Sequence, residues 1–248
     1  MSRRVAVTGA ASGIGAATAA LLESRGVEVV RLDRNEPYDV QVDLSQPESI
    51  DVAVAAVGPI DALCNIAGAT GLDGPEPTMR VNYLGLRHLT VALAEANDGL
   101  AIASTASARG AAWRSHLPQH LELARIESFA DGLVWVREHE AEMAADPYAW
   151  SKEALIVWTM VASARPAWRS RGIRVNAVAP GPIDTEFLRP FLELVPEIVQ
   201  TDIDRAGRMG TPDDIAGPLA FLVSEDAGFV NGVILPTDGG LAATFAVE

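Results

Sequence analysis

Tyr148 and Lys152 stand four positions apart, so on a helix they share one face, with Cβ atoms about 5–6 Å apart. A phenol of ordinary pKa about 10 is a poor proton acceptor near neutrality. A neighbouring ammonium favours the phenolate and turns such a pair into a candidate acid/base device. Taken alone, the spacing is also what chance produces on any helix. A second candidate is the run Thr8-Gly9-Ala10-Ala11-Ser12-Gly13-Ile14-Gly15, which separates a β-rich stretch from a helical one. Glycines there allow a tight turn and close backbone approach to a pyrophosphate. The helix N-terminus that follows offers unpaired N–H groups and the positive end of its dipole. The spacing is G-x-x-x-G-x-G, a loose fit to the general dinucleotide pattern, and a purely structural turn stays open. Asp33 ends the next β-rich stretch, twenty positions beyond Gly13. A carboxylate so placed can accept both ribose hydroxyls of an adenosine and repels a 2′-phosphate, which favours NAD over NADP. Arg34, next in the chain, is the group that would favour that phosphate instead.

Such groups need a scaffold that delivers strand ends and helix starts to one edge. β-rich runs at 5–8, 27–32, 40–44, 60–66, 99–104, 173–178 and 233–235 alternate with helical runs at 16–25, 47–57, 79–96, 148–169 and 213–223. Alternation of this kind implies right-handed βαβ crossovers. The expectation is an α/β fold: a doubly wound, mostly parallel, seven-stranded Rossmann-type sheet, built as one domain over residues 1–248. Its ligand crevice lies beyond the carboxyl ends of the strands.

Composition narrows the partners. Apolar residues make up 49% of the chain and charged ones 21%, enough to bury a sizeable core. Nineteen Lys and Arg against 33 Asp and Glu give a net charge of −14, which argues against nucleic acid and anionic membranes as partners. Cys64 is the single cysteine, so no internal disulfide forms, and it reads as a small buried hydrophobe. The four histidines, at 88, 116, 120 and 139, look scattered and unlike a metal site. The short apolar stretch after Arg4 meets Thr8-Gly9 too soon for a secretory leader, and no run approaches membrane-spanning length. A cytoplasmic protein is the expectation.

Taken together and in order, Gly9-x-x-x-Gly13-x-Gly15, Asn65-Ile66-Ala67-Gly68, Asn82, Ser104, Tyr148-x-x-x-Lys152, Pro180-Gly181 and Asp238-Gly239-Gly240 resemble the short-chain dehydrogenase/reductase family. The match runs from Arg4 to Gly240 and is similar to the short branch of that family, whose glycine spacing differs from the epimerase-like branch. The resemblance implies hydride transfer between NAD(H) and a hydrophobic secondary alcohol or ketone of steroid, terpenoid or aryl-alcohol type, with no metal required. An NADP-dependent carbonyl reductase and a non-catalytic NAD-sensing regulator are the alternatives. Carried over by position, Tyr148 is the general acid/base and Lys152 lowers its pKa and binds the nicotinamide ribose. Ser104 holds the reacting oxygen, and Asn82 anchors a water in a proton relay. The implied cofactor cradle is Gly9, Ser12, Gly13, Ile14 and Gly15 at the phosphates and Asp33 at the ribose. Asp43 and Leu44 lie at the adenine, and Asn65, Ala67 and Gly68 line the adenosine ribose. Pro180, Gly181, Ile183 and Thr185 hold the carboxamide. Relatives of this type assemble as homodimers or homotetramers through their long central helices.

The sequence departs from the family pattern twice. The family's Asn-Asn-Ala-Gly reads Asn65-Ile66-Ala67-Gly68 here, one amide fewer. Ser104 and Tyr148 are 44 positions apart, so residues 109–146 form an insertion, similar in layout to the bacterial 3α-hydroxysteroid dehydrogenase/carbonyl reductase subgroup. From 116 to 143 it reads as one or two amphipathic helices. Three destinations for its apolar face are physically sensible: a lid on the substrate cleft, a cover over the dimerising helices, or extra core. Trp113 and Trp135 favour the lid, as large apolar surfaces for a bulky substrate.

Overall fold

A computed structural model describes residues 3–247. Its strands are β1 (Arg4–Thr8), β2 (Glu28–Asp33), β3 (Val40–Gln41), β4 (Ala62–Asn65), β5 (Ala101–Thr105), β6 (Arg174–Pro180) and β7 (Ile234–Thr237). They pair in parallel in the order β3-β2-β1-β4-β5-β6-β7. The order reverses between β1 and β4, and a crevice opens where neighbouring crossovers diverge. The helices in chain order are α1 (Gly13–Ser24), α2 (Pro47–Val57), α3 (Pro75–Met79), α4 (Leu86–Ala96), α5 (Leu117–Arg125), α6 (Phe129–Glu138) and α7 (Glu140–Met143). There follow α8 (Pro147–Ser163), α9 (Pro166–Arg169), α10 (Arg189–Leu194), α11 (Pro196–Ala206), α12 (Pro212–Leu222) and α13 (Leu241–Val247). None of the described helices is long and apolar enough to cross a membrane.

Alternation along the central strands builds a core on each face. Ala6, Leu63 and Ile102 point to the side of α2, α4 and α8. Val5, Val7, Cys64 and Ala103 point to the side of α1 and α12. Cys64 is fully buried there, and burial pushes its thiol up to about 12, so it stays a small hydrophobe.

Boundaries differ from the sequence expectation where proline or an edge position intervenes. The helix expected over 148–169 breaks at Arg165, which is extended (φ −61°, ψ 120°) because Pro166 follows. At the sheet edge, β3 has two residues only. The helix expected over 79–96 begins earlier and contains a π-helical turn at Arg80–Gly85, which carries Asn82. Gly85 is required inside it, since a Cβ there would stand 1.8 Å from the Leu44 carbonyl oxygen.

The insertion forms α5, α6 and α7 behind a 3₁₀ turn at Ala108–Arg114. Leu123, Val136 and Met143 are fully buried and Trp135 nearly so, all within the core shared with α4 and α8. A Cβ on Gly132 would lie 2.5 Å from Leu84, so α6 rests directly on the π-helical turn. Arg109 and Asp146 clasp the two ends of the insertion at 2.5 Å. Only those ends line the cleft. The lid is therefore the wrong destination: Trp135 lies in the core and Trp113 packs against it.

Candidate active site

A cleft of about 1280 Å³ opens over the carboxyl ends of β1, β2, β4, β5 and β6. Its floor is the glycine turn. Gly9 adopts φ +69°, and a Cβ on it would lie 2.8 Å from the Ala67 backbone nitrogen. A Cβ on Gly15 would lie 1.9 Å from the Gly9 carbonyl oxygen, so helix α1 and the turn meet backbone to backbone. Gly13 takes φ +52° beside Thr185. Thr8 Oγ1 accepts hydrogen bonds from the Ile66 and Ala67 amides at 2.9 and 3.1 Å, tying the turn to the loop after β4. Ser12, Ile14, Ala67 and Gly68 line the same space. This backbone-lined cradle at a helix N-terminus fits a pyrophosphate.

Asp33 stands at the end of β2. One of its oxygens accepts from the Ala11 amide and the other from the Asn35 amide, each at 3.0 Å, so two backbone donors hold the carboxylate over the turn. Asp43 accepts from the amide and hydroxyl of Ser45 at 2.8 and 2.7 Å, and Leu44 is buried beside it on the cleft wall. Pro180, Gly181, Ile183 and Thr185 follow β6 on the opposite wall. The sequence expectation for Asn65 needs correction. Its side chain is buried beneath the sheet and donates to Thr90 Oγ1 at 2.9 Å and Ser104 Oγ at 3.3 Å, while Ile66 faces the cleft in its stead.

Tyr148 and Lys152 lie on the first turns of α8, which Asp146 caps by accepting from the Ala149 amide at 2.9 Å. Lys152 Nζ is 5.6 Å from the centre of the Tyr148 ring and donates to the Thr105 carbonyl oxygen at 2.8 Å. Burial, with no carboxylate beside it, lowers the Lys152 pKa to about 8. The Tyr148 ring is half-buried at the cleft, between Phe187 and Phe191. Burial pushes its hydroxyl up to about 12; a hydrogen bond with Ser107 and the charge of Arg109 work the other way, and Asp146 adds to the rise. Asn82 is fully buried. Its Oδ1 accepts from the Ala69 amide at 2.6 Å, and its Nδ2 donates to the Ala69 carbonyl and to Ser151 Oγ, both at 2.9 Å. It thus joins the π-helical turn, the loop after β4 and α8.

Ser104 does not meet Tyr148. It is still inside the ladder, paired with Asn65 and Ala177, and is completely buried. Ser107, the hydroxyl that does reach Tyr148, comes after the ladder ends at Thr105 and opens the 3₁₀ turn by accepting from the Arg109 amide at 3.2 Å. The sequence offers Ser104, Thr105 and Ser107 alike, and the end of the ladder at Thr105 is what separates them. Ser107→Ala is accordingly expected to lower kcat by about 10²–10³-fold, the usual effect of removing one oxyanion donor. Ser104→Ala should leave kcat nearly unchanged; the reverse ranking in steady-state kinetics would restore Ser104.

The outer half of the cleft is apolar. Leu188, Phe191, Val195, Ile198 and Val199 supply it from α10, α11 and the turn before them. None of these was anticipated from sequence, although their spacing of three and four positions is helical. The histidines also differ from expectation. His116 and His120, four positions apart, both address Glu153 on α8.

Comparison with known proteins bears on this geometry. The chain is 39% identical to a coniferyl-alcohol dehydrogenase of a Pseudomonas species, over 98% of both proteins. It is 33% identical to a 3-alpha-hydroxysteroid dehydrogenase/carbonyl reductase of Comamonas testosteroni, over 96% of both. The chain belongs to the short-chain dehydrogenase/reductase family. Residues 132–242 match the family model described as enoyl-(acyl carrier protein) reductase, and residues 5–128 match that of the NAD-dependent epimerase/dehydratase family. Among solved structures, the 3-alpha-hydroxysteroid dehydrogenase of Pseudomonas sp. B-0831 complexed with NADH superposes with a TM-score of 0.83, at 30% identity and over 99% of each chain. As a short-chain dehydrogenase/reductase, this protein is an oxidoreductase, and its relatives include dehydrogenases named for the alcohols they act on.

Proposed function

We propose that the chain works as one catalytic unit that oxidises a hydrophobic alcohol, or reduces the matching ketone, with NAD(H). The observation that carries this reading is the convergence of Ser107, Tyr148 and Lys152 where the glycine cradle meets the apolar outer cleft. NAD, when bound, supplies the acceptor for the hydride that leaves the carbinol carbon. The residues do the rest. Ser107 donates to the substrate oxygen and fixes its position. Tyr148 takes the hydroxyl proton as the carbon–oxygen double bond forms, and returns it in the reverse direction. Lys152, with its pKa near 8, favours the tyrosinate and passes protons at a pH where both of its forms are populated. Asn82 braces the loop after β4 against the helix that carries Lys152.

The apolar wall from α10 and α11 favours steroid-, terpenoid- or aryl-type alcohols over sugars, since it offers dispersion contacts and few hydrogen bonds. Asp33 favours NAD over NADP. Its two oxygens are already held toward the cradle by backbone amides, and a 2′-phosphate would bring a second anion against them. Titration with NADH and NADPH is expected to give tighter binding of NADH, and Asp33→Ala should narrow the gap. Equal or tighter binding of NADPH by the unaltered protein would shift the cofactor preference to Arg34.

A further inference from the structure

The insertion helix α5 and the tyrosine helix α8 meet at three side chains for which hydride transfer has no use. His116 Nδ1 and His120 Nε2 lie 2.7 and 2.9 Å from one and the same atom, Oε2 of Glu153. The three ligand atoms all fall within 4.8 Å of one another. Glu153 is 3% exposed and His120 is fully buried. Among the described residues the ion-pair partners of Glu153 are these two imidazoles; Lys152, the neighbouring cation, points to the Thr105 carbonyl oxygen instead. A buried carboxylate is costly unless a positive charge offsets it.

A divalent cation at the point on which the three groups converge would. Zn–N and Zn–O bonds of about 2.0–2.2 Å set tetrahedral ligand atoms about 3.4 Å apart, so the two imidazole–carboxylate contacts need open by only about 0.5–0.7 Å. Two imidazoles and one carboxylate suit zinc and its transition-metal neighbours, whereas magnesium and calcium take oxygen ligands. The His116 side chain is 40% exposed, which provides an entry route and leaves the fourth position to water. Trp150 closes the other side, with its ring centre 5.6 Å from that of His116 and 4.4 Å from that of His120.

We propose that His116, His120 and Glu153 bind one divalent transition-metal ion of the zinc class and thereby clamp the insertion to the helix that carries Tyr148 and Lys152. His120 Nδ1 is buried without a hydrogen-bond partner, and an outer-shell partner at that position is worth roughly 10–100-fold in metal affinity.

Protein stripped by a chelator and titrated calorimetrically with Zn²⁺ is expected to take up one equivalent, with a rise in Tm on loading. His116→Ala removes a half-exposed ring and Glu153→Gln keeps the shape of the carboxylate, so both variants are suited to retain the fold. Each should weaken zinc binding by at least about tenfold. Crystals soaked in Zn²⁺ give an independent check, with an anomalous peak expected between the three ligand atoms. No stoichiometric uptake and no Tm shift at about 100 μM zinc, unchanged affinity in both variants, or a peak only elsewhere would overturn the proposal.

Discussion

Tyr148→Phe is expected to lower kcat by about 10²–10⁴-fold, the range that a positioned acid/base contributes, while NAD(H) affinity stays within about twofold. The substitution removes one oxygen. It leaves the ring between Phe187 and Phe191 and leaves Lys152 hydrogen-bonded to Thr105. The pH dependence follows from the same group. Burial pushes the Tyr148 hydroxyl up to about 12. Proton abstraction from an alcohol needs the phenolate, so the oxidation rate should climb as pH rises, and ketone reduction, which needs the phenol, should fall. The positive charge of an oxidised nicotinamide moves the oxidation profile to lower pH. Lys152→Ala should reduce both kcat and cofactor affinity. Substantial turnover by the Phe variant on any substrate would remove Tyr148 from this role.

Gly15→Ala is expected to abolish cofactor binding and to cost about 1–3 kcal/mol of stability or more, as overpacking of a rigid contact does. The added methyl would sit 1.9 Å from the Gly9 carbonyl oxygen and 3.1 Å from the Ala10 Cα. Both are backbone atoms and cannot swing aside as a side chain would, so α1 must lift from the turn. Isothermal titration with NADH, together with thermal unfolding, separates the two effects. Binding of wild-type strength in a folded Gly15→Ala protein would mean that the turn is not the phosphate cradle.

The alternation of strand and helix was legible because it is a local pattern. The β-rich runs at 5–8 and 99–104 needed no partner to be recognised, and five further runs along the chain have the same character. The glycine turn, Asp33 and the Tyr148–Lys152 pair were legible for the same reason: each is a short motif at fixed spacing. What escaped depended on register or on tertiary packing. Choosing Ser107 over Ser104 required knowing that the ladder runs through Thr105, a fact set by β6 and not by the serines themselves. The Asn65 side chain turns under the sheet because Thr90 on α4 lies there. The insertion looked amphipathic, and amphipathicity alone does not say what a helix is amphipathic against. The structure answers with α4, α8 and the π-helical turn. The α10–α11 segment was missed because Pro190 and Pro196 interrupt it, yet both occupy first turns, where proline is tolerated.

Alcohol oxidation coupled to NAD⁺ is read from the appearance of NADH. Purified protein is mixed with NAD⁺ or NADP⁺ and a panel of steroid, terpenoid and aryl alcohols, and absorbance of the reduced nicotinamide is followed. Steady turnover of one or more hydrophobic alcohols is expected, faster with NAD⁺ than with NADP⁺ and lost in Tyr148→Phe. Tight NADH binding with no oxidation of any alcohol and no reduction of the matching ketones would contradict it and leave a cofactor-sensing protein on this fold.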